Sequence, residues 1–520
     1  MLYLAIIFHM HQPYYKNLLT NESQMPWVRL HGTKDYLDMV IMLEKFPLIH
    51  QTFNLVPSLI EQTEDYLNNT VKDKFLELSL KPASDLTSQE KEFILANFFS
   101  IFKDKAIAIH PRYYDLFLKK LSHKEFIAQD YLDLQVWFNL AWIDPYFRQG
   151  IPELRALVNK ARFFSEDDKR TVLSKHQELL KQILPAYKRF QDTGQIEITI
   201  SPFYHPILPL LYNTKIAKEA NIRAALPKIN FSYPLDAKAQ IDMAVQLFKD
   251  KFQASPVGMW PSEESVSQHI IPFIIQSGIK WIVTDEAILF KSLKNKKRDT
   301  KLLYKPYILK EKEGKLNVVF RDRNLSDLIG FEYHKWNTQN AVLDFIKHLN
   351  NIHEAFRGRN ILVTIAMDGE NAWEYYPNDG HDFLELLYEK MSETKFLKTV
   401  TVSEYLNLFP PKSQFSRIAA GSWINSDFSK WIGNPVKIKA WEYLAMARAD
   451  FDEAIANQDT LSEETLRLAW KQMFVLEGSD WFWWAGEDYP GYFDRLFRMH
   501  LANFYRIINK EIPEYLNRPL

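Results

Sequence analysis

Residues 2–13 read LYLAIIFHMHQP: the apolar run Leu2-Tyr3-Leu4-Ala5-Ile6-Ile7-Phe8 passes without a break into His9-Met10-His11-Gln12-Pro13. A strand with one wet face alternates apolar and polar residues, so an unbroken run marks a strand covered on both faces, as in a parallel sheet. The run lacks the basic flank and small-residue cleavage site of a secretory leader. Further runs of strand length lie at Thr52–Val56, Ile196–Ile200, Val257–Trp260, Trp281–Thr284, Leu316–Phe320 and Ile361–Met367. Longer helical segments separate them, which predicts an α/β fold: a parallel barrel or a doubly wound sheet with helices outside.

The tract from about residue 57 to 189 is amphipathic, with capping-box patterns at Thr87-x-x-Glu90 and Ser165-x-x-Asp168, and predicts a helical insertion between early strands. Two strand-like runs around Glu311-Lys312-Glu313-Gly314 predict a hairpin. Strand signals fade after Thr401, and from Pro435 onward the pattern is helical, as in Ala440–Arg448. The expected organisation is a catalytic barrel over residues 1–400 carrying the insertion, then a mainly helical region over 401–520 that completes the substrate cleft.

Composition narrows the function. With 64 Lys and Arg against 65 Asp and Glu the net charge is −1, so no global field favours nucleic acid or an anionic membrane. No apolar stretch approaches the roughly eighteen residues of a membrane span. The absence of cysteine excludes disulfides, thiolate metal sites and a cysteine nucleophile, and fits a cytoplasmic setting. The 15 glycines form no dinucleotide, P-loop or nucleophile-elbow fingerprint, so no cofactor is expected. The aromatic load is 14 Trp, 25 Tyr and 36 Phe. Core packing is one reading of it; beside carboxylates, a surface that stacks on sugar rings is the other.

Chemistry on a parallel sheet gathers at the carboxyl ends of its strands. Those ends carry His9–Pro13, Ser201–Pro206, Trp260-Pro261-Ser262-Glu263-Glu264 and Asp368-Gly369-Glu370-Asn371-Ala372-Trp373-Glu374. Two facing carboxyls suffice for glycoside hydrolysis: one attacks or stabilises the sugar cation and the other protonates the leaving oxygen. Asp368 and either Glu263 or Glu264 form the natural pair. In an extended segment neighbouring side chains point to opposite sides, so only one of the two glutamates faces the cavity. The competing structural readings are helix capping for the glutamates and a tight turn for Asp368-Gly369-Glu370. His9 and His11 share a strand face and suit either a metal or a hydrogen-bonding role, as does His205; H-x-H alone is a weak metal signal, and no metal is expected. Glu477 and Asp480 beside Trp481-Phe482-Trp483-Trp484 read equally as a helix-end core and as a sugar platform.

His11-Gln12-Pro13, Gly194-Gln195-Ile196-Glu197 with Tyr204-His205-Pro206, Gly258-Met259-Trp260-Pro261-Ser262-Glu263 and Asp368–Glu374 together resemble the ordered motifs of glycoside hydrolase family 57. Gly421-Ser422-Trp423-Ile424, with Asp427 and Trp431-Ile432-Gly433, is similar to the fifth motif. The resemblance implies a distorted seven-stranded (β/α) barrel with a C-terminal helical region. It also implies retaining chemistry on α-linked glucans, with Glu263 as nucleophile and Asp368 as general acid/base. Histidines matching His11 and His205 line the family's site, and Trp260, Trp373 and Trp423 match aromatic positions there. With His9, Gln12, Asp427, Asp480 and Trp481 these are the expected substrate-binding residues.

The Trp260–Glu263 and Glu477–Trp484 segments look most like the amylase and amylopullulanase branch, from which Glu264 departs where a small residue is expected. The expected activity is cleavage of α-1,4 bonds, with α-1,6 bonds as a further target, in starch- or glycogen-type glucans. A 4-α-glucanotransferase or branching-type transglycosylase on the same residues is the alternative, since only the acceptor differs. A metal-dependent deacetylase and an inactive glycan-binding protein are the readings from other classes.

Overall fold

The computed structural model describes residues 1–294, 297–456, 461–487 and 491–520. Its centre is a barrel of parallel strands β1 (Leu2–Met10), β2 (Gln51–Leu55), β3 (Ile196–Thr199), β4 (Gly258–Met259), β5 (Trp281–Asp285), β6 (Gly314–Arg321) and β7 (Ile361–Asp368). These coincide with the seven runs read from the sequence. Neighbours in the chain are neighbours in space, and β7 returns to pair with β1 from Leu2↔Ile361 to His9↔Asp368.

Two joints lack a regular ladder. β3 meets β4 through one bridge, Ile200↔Met259, with the Trp260 N–H donating to the Ile200 carbonyl at 2.9 Å. β6 meets β7 where the Asp322 N–H donates to the Thr364 carbonyl at 2.8 Å and Arg321 Nε to the Ala366 carbonyl at 2.7 Å. β4 is shorter than its apolar run because the chain turns away at Pro261, which has no N–H to offer a partner.

Both faces of the strands are dry, which is why the runs do not alternate. Along β1, Leu4, Ile6 and Phe8 belong to the large outer core beneath the helices, while Ala5 and Ile7 belong to a separate lumen cluster with Trp260, Trp281, Val283, Val319 and Ala366. Helix Val402–Leu408 contributes Val402, Tyr405 and Leu406 to that cluster. The one acid of the Gly194–Glu197 motif serves this closure. Glu197 accepts from Trp281 Nε1 at 3.0 Å and from the Ser403 hydroxyl and N–H at 2.6 and 3.0 Å, tying the lumen tryptophan to the helix.

Helices from Pro57–Leu67 to Glu166–Asp192 fill the chain between β2 and β3, with the capping boxes of Thr87 and Ser165 both formed. The hairpin is present as strand Tyr307–Glu311 antiparallel to β6. Beyond Thr401 a short strand that the sequence pattern does not announce, Ser413–Phe415, adds to that hairpin. Helices Pro435–Ala456, Glu463–Leu476, Ser479–Trp484 and Tyr492–Ile507 follow. Among the described residues no helix is long and apolar enough to cross a membrane.

The lumen leaves no space at Gly258, where an added Cβ would lie 2.2 Å from the Trp281 ring and 2.8 Å from Thr199. Gly258→Ala is therefore expected to cost about 1–3 kcal/mol, the usual penalty for overpacking, read as a lower denaturant midpoint with an unchanged slope.

Candidate active site

The parallel register decides which side chains meet at the barrel mouth. Pairing of β1 with β7 sets His9 beside Asp368, and pairing with β2 sets it beside Asn54. His9 Nδ1 lies 2.6 Å from Asn54 Oδ1, a carbonyl acceptor, so this nitrogen carries the proton and Nε2 is left as an acceptor. The Ser201 hydroxyl lies 3.0 Å from the same oxygen and 2.7 Å from the Trp260 carbonyl, and so ties the ends of β1 to β4 together.

Above His9 the rings form a column. Trp260 stacks on His9 at 4.8 Å, His9 on His205 at 4.9 Å, and His205 on His11 at 4.0 Å. Burial and the neighbouring rings hold His9 at about 3 and His205 well below the usual imidazole range, so both are neutral near pH 7. His11 Nε2 is bound to Asp480 at 3.0 Å and His205 Nδ1 to the Ser479 hydroxyl at 3.0 Å. The remaining nitrogens, His11 Nδ1 and His205 Nε2, are buried without a protein partner.

Glu263 sits on a tight turn after β4. It and Glu264 both adopt positive φ, 59° and 51°, as does His205 at 58°. Left-handed backbone at three non-glycine residues of one site is strain held in place by its surroundings. The turn corrects the extended geometry assumed from sequence, yet only one glutamate still faces the cavity. Glu263 Oε2 accepts from Trp423 Nε1 at 2.8 Å, and Oε1 lies 4.0 Å from His205 Nδ1. Glu264 is fully buried, neither carboxyl oxygen has a hydrogen-bond partner, and burial drives its pKa far up.

Asp368 ends β7, where Asn371 Nδ2 donates to it at 3.3 Å. The next residue, Gly369, is closely packed: an added Cβ would lie 2.5 Å from Met10 sulfur and 3.2 Å from the His9 carbonyl, so a side chain there would have to displace Met10. Burial raises Asp368 above the usual carboxylate range. Burial, followed by the charges of Asp368 and Asp480, pushes Glu263 up to about 8, against the hydrogen bond from Trp423. Both carboxyls are thus held above their ordinary values, and the charge on Asp368 is one of the causes at Glu263.

Glu263, Asp368, His9, His11, Gln12, Trp423 and Asp480 line one cavity of about 590 Å³. Asp480 belongs to the C-terminal helices, and Trp27, Phe102 and Trp142 of the same wall come from the first helix and the insertion. A second cavity, of about 620 Å³, shares Asp368, Asn371, Trp423 and Trp483 with the first.

Five expected binding residues do not line this cavity: His205 is buried within the ring column, and four others lie elsewhere. Trp260 lies beneath the histidine column; Trp373 is buried, with Nε1 donating to the Gly369 carbonyl at 2.7 Å; Trp481 is buried, with Nε1 donating to the Val475 carbonyl at 2.7 Å. Each indole spends its polar atom or its faces inside the core, and Trp483 and Trp484 meet the cavity instead. Asp427 holds Asn221 at 3.0 Å beside a different depression.

Two groups that bear on the site are not among the expected residues. Glu370 lines the cavity, accepting from the His11 N–H at 3.0 Å and the Tyr36 hydroxyl at 3.2 Å while Oε2 stays unpaired. Arg321, at the end of β6, lays its guanidinium 5.1 Å over the Trp423 ring, 3.6 Å from Asp285 and 2.5 Å from Asp327, and lowers Asp368 through space. The rule that polar residues at strand ends carry chemistry points to both when applied to every strand. Among the described residues the ligand-type group Asp38, Asp144 and His381 is buried elsewhere, with His381 Nε2 2.9 Å from both Asp144 oxygens as an ion pair.

The sequence model of the family described as Glycosyl hydrolase family 57 matches residues 5–417. Alpha-amylase 1 of Dictyoglomus thermophilum is 30% identical over 144 residues, which is 28% of this chain and 17% of that protein, so the match spans about a sixth of the relative's length. Among solved structures, a branching enzyme from Thermococcus kodakaraensis superposes with TM-score 0.62 at 16% identity over 99% of this chain and 93% of that one. An alpha-amylase from Thermotoga maritima gives 0.59 at 15% identity (98% and 93%), and a 4-alpha-glucanotransferase from Thermococcus litoralis 0.55 at 15% (97% and 60%). At these identities the likeness is one of fold.

The coupling around Glu263 is measurable in ¹³C-glutamate-labelled protein. Asp368→Asn removes a raising charge, so the Glu263 titration is expected to move below its wild-type midpoint. Trp423→Phe removes a donor to the carboxylate, worth about 1.5–3 kcal/mol, and is expected to move it up by roughly one unit or more.

Proposed function

The chain belongs to glycosyl hydrolase family 57, and on that premise we propose that it cleaves α-glucosidic bonds of starch- and glycogen-type glucans with retention of configuration. Glu263 is the nucleophile and Asp368 the general acid/base. The observation that carries this reading is the shared cavity: two half-buried carboxyls on different strand ends, with the charge of Asp368 acting on Glu263, face the same space. The names of the matched relatives, an amylase, a branching enzyme and a 4-alpha-glucanotransferase, support an α-glucan as substrate.

Mechanism follows from the protonation of the pair. Double displacement needs one proton on the two carboxyls, with Glu263 ionised and Asp368 protonated when the sugar is bound. The Trp423 N–H favours charge on Glu263. As the C1–O bond breaks, the Asp368 proton passes to the leaving oxygen and Glu263 forms the ester at C1. Water then gives a proton to Asp368 and attacks C1, releasing Glu263. His11 Nδ1 and Glu370 Oε2, on residues that line the cavity, have no protein partner and suit sugar hydroxyls. No step calls for a metal. A chain without cysteine suits a cytoplasmic enzyme.

The test is the product profile from maltoheptaose in the presence of a chelator, with product anomers followed by proton NMR. Wild type is expected to release the α-anomer first, and Glu263→Gln and Asp368→Asn to lose at least roughly a thousandfold in kcat/KM. Full activity in Glu263→Gln, or a β-anomer as first product, overturns the assignment.

A further inference from the structure

The C-terminal helices meet the barrel along a short edge that also carries the histidine column. The Ser479 N–H donates to the His205 carbonyl at 3.1 Å and its hydroxyl lies 3.0 Å from His205 Nδ1, while Asp480 lies 3.0 Å from His11 Nε2. Gly478 passes so near the same turn that an added Cβ would lie 2.9 Å from the Tyr204 carbonyl. His205 has a left-handed backbone, φ 58°, and such a conformation persists only where its surroundings over-determine it. The stack of His205 on His11 therefore depends on what presses the two chain segments together.

Behind the edge stand two buried polar side chains that the mechanism does not use. Gln240, on helix Pro234–Phe252, spends both ends of its amide there. Its Oε1 accepts the Tyr204 N–H at 3.0 Å, and its Nε2 donates to the Phe474 carbonyl at 3.0 Å and to Glu477 Oε2 at 2.9 Å. One side chain thus joins the turn of His205 to the residues that lead into Ser479. Glu477 is 1% exposed, and its Oε1 has no hydrogen-bond partner. The charged groups that bear on it are Asp236, on the helix of Gln240, and Arg448, on helix Pro435–Ala456. Arg448 is already committed: Nε and Nη2 hold the two oxygens of Asp236 at 2.7 and 3.2 Å, and Nη1 binds Asp452. In so dry a place, with one donor and with Arg448 paired elsewhere, a carboxylate is costlier than a neutral acid, so Glu477 keeps its proton. Burial, and then the negative charge of Asp236, push its pKa well above the usual carboxylate range.

We propose that Gln240 and an uncharged Glu477 are positioning residues: together they hold residues 478–480 against the Tyr204–His205 turn, and so set the His205–His11 stack beside Glu263 and Asp368. Neither touches the substrate. The inference rests on the reading that those two carboxyls cleave a glucan in the cavity that His11 lines. Ionised, Glu477 would repel Asp236 across the joint between barrel and C-terminal helices; neutral, it keeps the joint closed. The sign for stability follows. A carboxyl raised on folding contributes stability below its unfolded value of about 4.3, and that contribution is lost as pH climbs towards the folded value.

The experiment compares wild type with Glu477→Gln, Glu477→Ala and Gln240→Met by maltoheptaose cleavage, by denaturant midpoint, and by the ring-nitrogen resonances of ¹⁵N-histidine-labelled protein. Glu477→Gln has the shape of the neutral acid, so its kcat is expected to stay within about twofold of wild type, with His205 and His11 resonances unmoved. Its midpoint is expected to gain on that of wild type as pH rises from about 5 to about 8, because only wild type loses the proton-linked stability. Glu477→Ala and Gln240→Met are expected to shift both histidines in folded protein and to lower kcat at least about tenfold, with KM changed less than about threefold. If Glu477→Ala does not fold, Gln240→Met supplies the histidine readout and Glu477→Gln the pH readout. Unmoved histidines in the folded variants, a Glu477→Gln protein as impaired as Glu477→Ala, or parallel midpoints for Glu477→Gln and wild type overturns the inference. Wild type inert on maltoheptaose overturns the functional reading instead, and the histidine resonances still test the positioning.

Discussion

The parallel ladder between β1 and β7 joins the first residues of the chain to residues some 360 positions later, and everything at the mouth of the barrel is referred to it. It fixes His9 against Asp368 and brings Gly369 so close to β1 that its N–H donates to the His9 carbonyl at 2.7 Å. A slip of one residue would exchange the lumen and outer faces of the strand and carry Asp368 out of the cleft. Because both faces are buried, Ala5 and Ile7 on one side and Leu4, Ile6 and Phe8 on the other resist such a slip equally.

Charge buried at that mouth needs compensation, since an isolated carboxylate in a dry site is expensive. Arg321 supplies it from the neighbouring strand. Its guanidinium is anchored by the Ala366 carbonyl, Asp327 and Asp285, and it bears on the two cavity carboxyls in two ways: through space on Asp368, and through the Trp423 ring, whose indole holds Glu263. Glu264 belongs to the same group, with Arg321 its main opposing charge. The acid that departs from the family pattern is thus a buried neighbour of Glu263 and no part of the cavity wall. On the other flank His9 and His205, both neutral near pH 7, add hydrogen-bonding atoms without adding charge.

The cleft itself is assembled from parts far apart in the chain. Trp142 comes from the insertion after β2, Trp423 from the segment after the barrel, and Asp480, Trp483 and Trp484 from the C-terminal helices. Asp480 reaches back to His11, and Ser479 to His205, so the C-terminal helices orient two members of the histidine column. The barrel provides Glu263 and Asp368, and the added helices provide much of the wall around them.

The strand runs were legible because dry strands leave an unbroken apolar signal, and the carboxyls at their ends stood out because polar groups there are costly. The helical insertion, its capping boxes and the hairpin were legible for the same local reason: caps, periodicity and turns act between residues a few positions apart. Family motifs separated Glu263 from Glu264; the extended geometry assumed for that segment did not exist. Which tryptophans reach the cavity was not legible, since Trp260, Trp373 and Trp481 carry the same side chain as Trp423, Trp483 and Trp484 and differ only in what surrounds them. Arg321 and Glu370 sat in plain view at strand ends, but their meaning depends on partners tens to hundreds of residues away. The sequence by itself determined the seven dry strands and the polar groups at their ends, because these follow from local pattern, while the closed barrel and the choice of Glu263 over Glu264 were legible only through the family motifs. Only the tertiary structure decided the histidine column, the charge network under Glu263 and the second cavity beyond Asp368, because each is made of contacts that exist only once the barrel has closed.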